Sequence, residues 1–211
     1  EDFGTAVLLA AVLGLLMLAG GARARHLAGF VPLLGAGAFL AVYLFPYRWQ
    51  RLQTWLTGGD PQGAGYHIHQ SLLAIASGGW TGRGLGEGIQ KLGYLPEDTT
   101  DFIFPIICEE LGLVGAMLVI GLFIWLLYLL LRTMQAATDR LGQLIVLGVA
   151  LLIGLQTAMN IAVVTALAPA KGIALPFVSA GGSGLLVMSA ALGLAAGVAR
   201  TARREQAAGV N

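Results

Sequence analysis

Charge is what this sequence has least of. Asp, Glu, Lys and Arg make up 11% of the 211 residues, against about 25% in an average soluble domain. Apolar residues make up 57%, and the mean hydropathy is +0.80. That scarcity excludes a soluble globule, and a net charge of +1 gives no reason to expect nucleic acid as a partner. Cysteine is nearly absent too. Cys108 stands alone, so no internal disulfide can form, and its place in an apolar run reads as a buried, inert thiol. His67 and His69 have no acidic or cysteine companion at a zinc spacing, so no metal site is expected. The glycine-rich stretch 78–88 (GGWTGRGLGEG) lacks the Gly-Lys-Ser/Thr end of a phosphate loop, and no strand precedes it. Its glycines instead allow tight turns and close backbone approach. Residues 179–184 have no α/β context that would make them a nucleophile elbow. The chain starts at Glu1 with neither Met nor a signal-peptide pattern, and is expected to be part of something longer.

What is present is a set of apolar runs near membrane-spanning length, which is about 20 residues for a helix. Such runs cover residues 4–20, 27–45, 102–131 and 141–167, with a last one ending near 198. The first two are expected to pair as a hairpin. Residues 67–79 (HIHQSLLAIASGG) are apolar but too short to cross, which suits a re-entrant or interfacial helix. The fold expected is therefore all-α, a polytopic membrane protein with about five transmembrane helices. Residues 1–211 read as one membrane domain, with 46–101 as a large extracytoplasmic loop inside it. Seven of the twelve Lys and Arg fall in 22–26, 132–140 and the tail, while seven of the eleven acids fall at the N-terminus or between Asp60 and Asp101. By the positive-inside rule the basic segments are cytoplasmic and 46–101 faces outward.

The organising stretch is 94–115, YLPEDTTDFIFPIICEELGLVG. Glu97, Asp98 and Asp101 precede the third long run, Glu109 and Glu110 lie in its first turns, and 111–131 carries no charge. Asp101 has two readings that are not exclusive. It can cap the helix that follows, or it can serve as general base for a substrate held at the lipid surface. Glu109 and Glu110 point about 100° apart, so at least one needs a polar interior or a basic partner. That partner is sought in the long outer segment or in sequence beyond these 211 residues. Gln156 and Asn160, four apart on one helix face, read as interhelical hydrogen-bonding glue.

Several stretches together resemble one family. YLPEDTTDFIFPIICEELGLVGA, DPQGAGYHIHQSLLAIASGG and PAKGIALPFVSAGGSG look like hallmark segments of the SEDS proteins, the FtsW/RodA/SpoVE group of bacterial cell-wall polymerases. Glu1-Asp2-Phe3-Gly4 resembles the family's internal Gln-Pro-Asp-Leu-Gly, which makes the chain look like the C-terminal half of a ten-span protein. The QKLGYLPE and AKG segments look closer to the division and sporulation branch than to the elongation branch.

The resemblance implies a peptidoglycan glycosyltransferase of the bacterial cytoplasmic membrane. It would polymerise lipid II on the extracytoplasmic side, among membrane lipids and beside a class B penicillin-binding protein. Asp101 falls on the family's essential aspartate and would deprotonate the acceptor sugar's 4-hydroxyl. Arg48, Arg51, Arg83 and Lys91 have the chemistry to hold phosphate or to contact lipid headgroups. Of these, Arg48, Arg51 and Lys91 are the candidates for holding pyrophosphate, alone or with a divalent cation, and Glu110 and Ser183 are further substrate-binding candidates. Ala180 stands where the family usually has Tyr, which removes any contact made through that ring. A lipid-linked precursor flippase using Glu109 and Glu110, or a non-catalytic synthase scaffold, are the competing expectations.

Overall fold

The computed structural model describes residues 3–60, 63, 65–90, 100–169 and 172–207. Among them the chain forms seven α-helices and no strand. These are α1 (Phe3–Ala19), α2 (Ala24–Tyr43), α3 (Pro46–Thr57), α4 (Tyr66–Gly78), α5 (Ile103–Ala136), α6 (Arg140–Val164) and α7 (Gly182–Ala207). Helices α5, α6 and α7 are long and apolar enough to cross a membrane; α1, at 17 residues, is shorter. Local signals set several ends. Asp139 caps α6 by accepting a hydrogen bond from the Gly142 N–H at 2.8 Å. Helix α3 begins on Pro46, whose missing N–H costs nothing there, and stops at Gly58 in the left-handed region. This helix lay in a stretch read as mixed loop, although the proline and glycine that bound it were visible in the sequence.

Helix α6 is the centre of the bundle and packs on α1, α5 and α7. Val146 and Ile153 are fully buried within it, against a core that includes Phe104, Phe123 and Met188. About half of the long apolar side chains on α5 and α7 point away from the protein, as expected where lipid is the solvent and packing, not hydrophobic exclusion, holds helices together. The expected hairpin of the first two helices is not among the larger packings of the described residues. Helix α1 runs along α6, with Leu16 seated on Gly148, where an added methyl would lie 3.2 Å from its Cδ1. Helix α2 packs against α3 instead. A small residue on α6 lets α1 approach closely, and that competes successfully with the neighbour in sequence.

The two ends of the bundle differ in kind. At one, Arg140 donates to the Ala19 carbonyl at 2.5 Å and Thr138 to the Glu205 carboxylate. This gathers the basic turns and the Arg-bearing end of α7. At the other, Trp55 Nε1 donates to the Ala166 carbonyl at 2.9 Å, and Ser71 Oγ to the Val164 carbonyl at 2.6 Å. Asp101 belongs to this second end.

Helix α4 enters from the Asp101 end and does not cross. The His67 ring lies nearly parallel to that of Phe102, 5.9 Å away, and eleven residues later Gly78 abuts Cys108 and Glu109. Helices α4 and α5 thus descend side by side, but 13 residues reach only about 20 Å, short of a hydrocarbon core of about 30 Å. The chain then turns inside the protein. Helix α5 is interrupted at Gly112 (φ 63°, ψ −161°), a conformation essentially confined to glycine. Residues 79–84 supply the backbone partners that the break removes. Leu113 N–H donates to the Gly79 carbonyl (2.9 Å) and Val114 N–H to the Trp80 carbonyl (3.3 Å). In return Arg83 and Gly84 N–H donate to the Glu109 and Glu110 carbonyls, each at 3.0 Å. Irregular backbone at membrane depth is tolerated only when protein satisfies it in this way.

Candidate active site

Asp101 follows the turn at Thr100, just before the N-cap position of α5, which Phe102 occupies without a side-chain cap bond. Its side chain is half-buried, and its position is fixed through the backbone. Asn160 on α6, 1% exposed, donates from Nδ2 to the Asp101 carbonyl at 2.8 Å and to the Ile173 carbonyl at 2.6 Å. Gln156, one turn earlier, donates to the Ala174 carbonyl at 2.9 Å. Ser179 Oγ donates to the Thr100 carbonyl at 2.5 Å and accepts from Leu175 N–H at 2.7 Å. Residues 172–179 therefore form a strap sewn to α6 on one edge and to residues 100–101 on the other. The carboxylate lies against it. A methyl at Gly172 would stand 2.9 Å from Asp101 Oδ2, so glycine there leaves the carboxylate its room.

The pair expected to bond one helix to another instead joins α6 to non-helical backbone, at the strap and at Asp101. Removing it has a calculable effect. An interhelical hydrogen bond in a membrane protein is worth about 0.6 kcal/mol on average and at most about 1.7, and Asn160→Ala loses two. The expected result is a loss of roughly 1–3 kcal/mol, read as a lower thermal midpoint of the purified protein in detergent. Asn160→Asp, which sets a buried carboxylate against two carbonyl oxygens, should be more destabilising than the alanine variant.

The second polar cluster lies deeper. Glu109, 1% exposed, accepts from Ile89 N–H at Oε1 and Gln90 N–H at Oε2, both at 3.1 Å. Arg83 Nη1 stands 3.8 Å from Oε1. The basic partner that a carboxylate at this depth requires is thus Arg83, from the glycine-rich segment of the outer region. The signal for it was its position as the one cation within 78–88. Glu110 is half-buried, and a methyl at Gly88 would lie 3.0 Å from its Oε1. The other expected site residues are placed elsewhere. Arg48 on α3 donates to the Ala41 carbonyl at 3.2 Å and lies over the Phe45 ring. Arg51 donates to the Tyr47 hydroxyl and lies over its ring. Ser183 is exposed in the first turn of α7, three residues past the exposed Ala180 in the bend that precedes the helix. Lys91, Glu97 and Asp98 lie outside the described residues.

Among the described residues no group of three or more His, Cys, Asp or Glu converges; a magnesium ion held by one or two carboxylates together with the substrate's phosphates does not require such a group. A cavity of about 600 Å³ opens between α5 and α7, lined in part by Leu130, Arg132, Ala195 and Arg203. It belongs to the basic end, away from Asp101.

An all-α bundle with a re-entrant segment and, among the described residues, three helices long and apolar enough to cross a membrane defines a multi-pass membrane protein. A family model described as cell cycle protein, FtsW/RodA/SpoVE, matches residues 1–204. The chain belongs to that family. It is 46% identical over 202 residues to "Probable peptidoglycan glycosyltransferase FtsW" of Alkalilimnicola ehrlichii, covering 92% of this chain and 49% of that one. It is 41% identical over 204 residues to "Stage V sporulation protein E" of Bacillus subtilis, covering 96% and 56%. A solved chain from work on the structural coordination of polymerization and crosslinking by a peptidoglycan synthase complex superposes with a TM-score of 0.73 at 25% identity, over 96% of this chain and 56% of that one. The division and sporulation names agree with the branch that QKLGYLPE and AKG suggested. The chain spans about half the length of the curated relatives it matches.

Proposed function

We propose that the complete protein is a peptidoglycan glycosyltransferase that polymerises lipid II, with Asp101 as general base. The observation carrying this reading is a carboxylate at the mouth of a membrane helix, its backbone fixed by Asn160 and its side chain lodged against Gly172. Relatives named as peptidoglycan glycosyltransferases support it. In the reaction the Asp101 carboxylate takes the proton of the acceptor sugar's 4-hydroxyl as that oxygen attacks the anomeric carbon of the donor. The new glycosidic bond forms with inversion, the anomeric carbon–oxygen bond to the donor's pyrophosphate breaks, and undecaprenyl pyrophosphate leaves with the electron pair. A base held in place before substrate arrives contributes roughly 10²–10⁴-fold.

The whole of 1–211 acts as one membrane domain, in which 46–101 is the extracytoplasmic segment. The end carrying Arg140, Arg200, Arg203 and Arg204 faces the cytoplasm, by the positive-inside rule. The Asp101 end then meets the outer leaflet of the bacterial cytoplasmic membrane, where a class B penicillin-binding protein would crosslink the product. The test is reconstitution of the complete protein with that transpeptidase in vesicles supplied with fluorescent lipid II. Glycan chains should appear with release of undecaprenyl pyrophosphate. Lipid translocation without polymer would instead make the protein a flippase and end this reading.

A further inference from the structure

The deeper cluster leaves one cation only partly satisfied. Both oxygens of Glu109 already accept backbone N–H groups, from Ile89 and Gln90. Arg83 Nη1 stands 3.8 Å from the carboxylate, which neutralises charge but is beyond hydrogen-bond reach. Among the described residues none accepts a hydrogen bond from this guanidinium, whose planar fork carries five donors. Its side chain is 40% exposed. The apolar side chains beside it in sequence face outward as well, Trp80 at 74% and Leu85 at 77%. An arginine beside a span, with open donors and apolar neighbours, is complementary to a phosphate-type anion that carries a hydrocarbon chain. Free phosphate would leave the apolar side chains unused.

We propose that Arg83, with Trp80 and Leu85, binds the pyrophosphate and first isoprenoid units of the acceptor lipid, the molecule whose 4-hydroxyl reacts at Asp101. This rests on the polymerase reading above. The spacing favours the acceptor over the donor. The Arg83 backbone is bonded to Glu109, eight residues or roughly 12 Å along α5 from Asp101, and on the membrane-interior side of it. In the acceptor two sugar units separate the reacting hydroxyl from the pyrophosphate of the same molecule. In the donor the pyrophosphate is attached to the reacting carbon itself and must sit beside Asp101. Arg48 and Arg51, committed on α3 to the Ala41 carbonyl and the Tyr47 hydroxyl, are less suited to the task than Arg83. Glu109 acts as a positioning residue, since it anchors both the guanidinium and the backbone at 89–90.

Binding is measured by native mass spectrometry on the complete protein in nanodiscs, with undecaprenyl pyrophosphate as probe and phosphatidylglycerol and inorganic pyrophosphate as competitors. Native mass spectra resolve successive probe molecules, one at the donor position beside Asp101 and one at Arg83. The one at Arg83 should bind about tenfold or more weakly to Arg83→Gln, as expected on losing charge-assisted hydrogen bonds. Arg83→Lys should fall between, because an ammonium keeps the charge and loses the fork. Neither competitor should displace the probe at equal concentration. In turnover, Arg83→Gln should raise the KM for lipid II more than it lowers kcat. An acceptor disaccharide lacking the lipid pyrophosphate should be used equally by both proteins, a split that mere loosening of the loop would not produce. Should Arg83→Gln fail to fold, Arg83→Lys carries the same comparison. Undiminished probe binding to the folded variants, or equal displacement by phosphatidylglycerol, would overturn the assignment. A protein that makes no glycan yet binds the probe through Arg83 would end the polymerase reading and retain a lipid-pyrophosphate site. One that polymerises with binding indifferent to Arg83 would do the reverse.

Discussion

Gly78→Ala is expected to abolish accumulation of folded protein. A methyl at this position would lie 1.8 Å from the Cys108 carbonyl oxygen, 2.8 Å from its carbonyl carbon and 3.1 Å from the Glu109 Cα. All three are backbone atoms of α5, so no side chain can rotate away. Relief requires lifting α4 off α5, and with it the hydrogen bonds by which residues 79–84 complete the break at Gly112. The expected loss exceeds about 4 kcal/mol, the tail of what single substitutions do. Its readout is loss of the monodisperse peak and of the thermal transition in detergent. Gly121→Ala in α5 is the control. Nothing lies within 4 Å of the added methyl, and replacing glycine in a helix interior should gain roughly 0.5–1 kcal/mol. A Gly78→Ala protein with the wild-type midpoint would show that α4 is not seated on Cys108 and that the re-entrant arrangement is wrong.

That interlock also marks where sequence reading reached its limit. The long apolar runs, the short run at α4 and the segregation of charge carry their own physical signals, and each corresponds to a feature of the fold. So does the demand that Glu109 makes for a partner, because an acid in the first turns of an apolar helix has few ways to be satisfied. The break at Gly112 carries no such signal. ELGLVG reads as continuous helix, since one glycine inside a helix costs only about 1 kcal/mol. The broken form is favoured only once backbone from some thirty residues upstream fills the gap, and that is a tertiary fact. The strap over Asp101 is hidden for the same reason. Asn160 and Gln156 announce that they bond something, but their acceptors at Asp101, Ile173 and Ala174 are main-chain carbonyls, which every residue has. Arg48 and Arg51 stood out as cations beside a span. That Arg48 also bonds the Ala41 carbonyl and Arg51 the Tyr47 hydroxyl is visible only in the fold.

Asp101→Asn should leave the protein folded and cost roughly 10²–10⁴-fold in polymerisation rate, the contribution typical of a positioned general base. The substitution is nearly isosteric. The bond from Asn160 goes to the main-chain carbonyl of residue 101 and does not depend on the side chain, and an amide fits the space that Gly172 leaves. Expression and thermal midpoint should therefore match the unsubstituted protein. The loss should appear in kcat, with the KM for lipid II little changed, because the interaction removed exists only as the proton moves. Asp101→Glu keeps the acid but adds a methylene in a site where the carboxylate already lies against residue 172. It should retain more activity than Asn and less than the native protein. Gly172→Ala, which would bring a methyl 2.9 Å from Asp101 Oδ2, should lower kcat by displacing a carboxylate it does not chemically alter. A folded Asp101→Asn protein that polymerises lipid II at the native rate would remove the base from this residue, and the search would then turn to residues outside these 211.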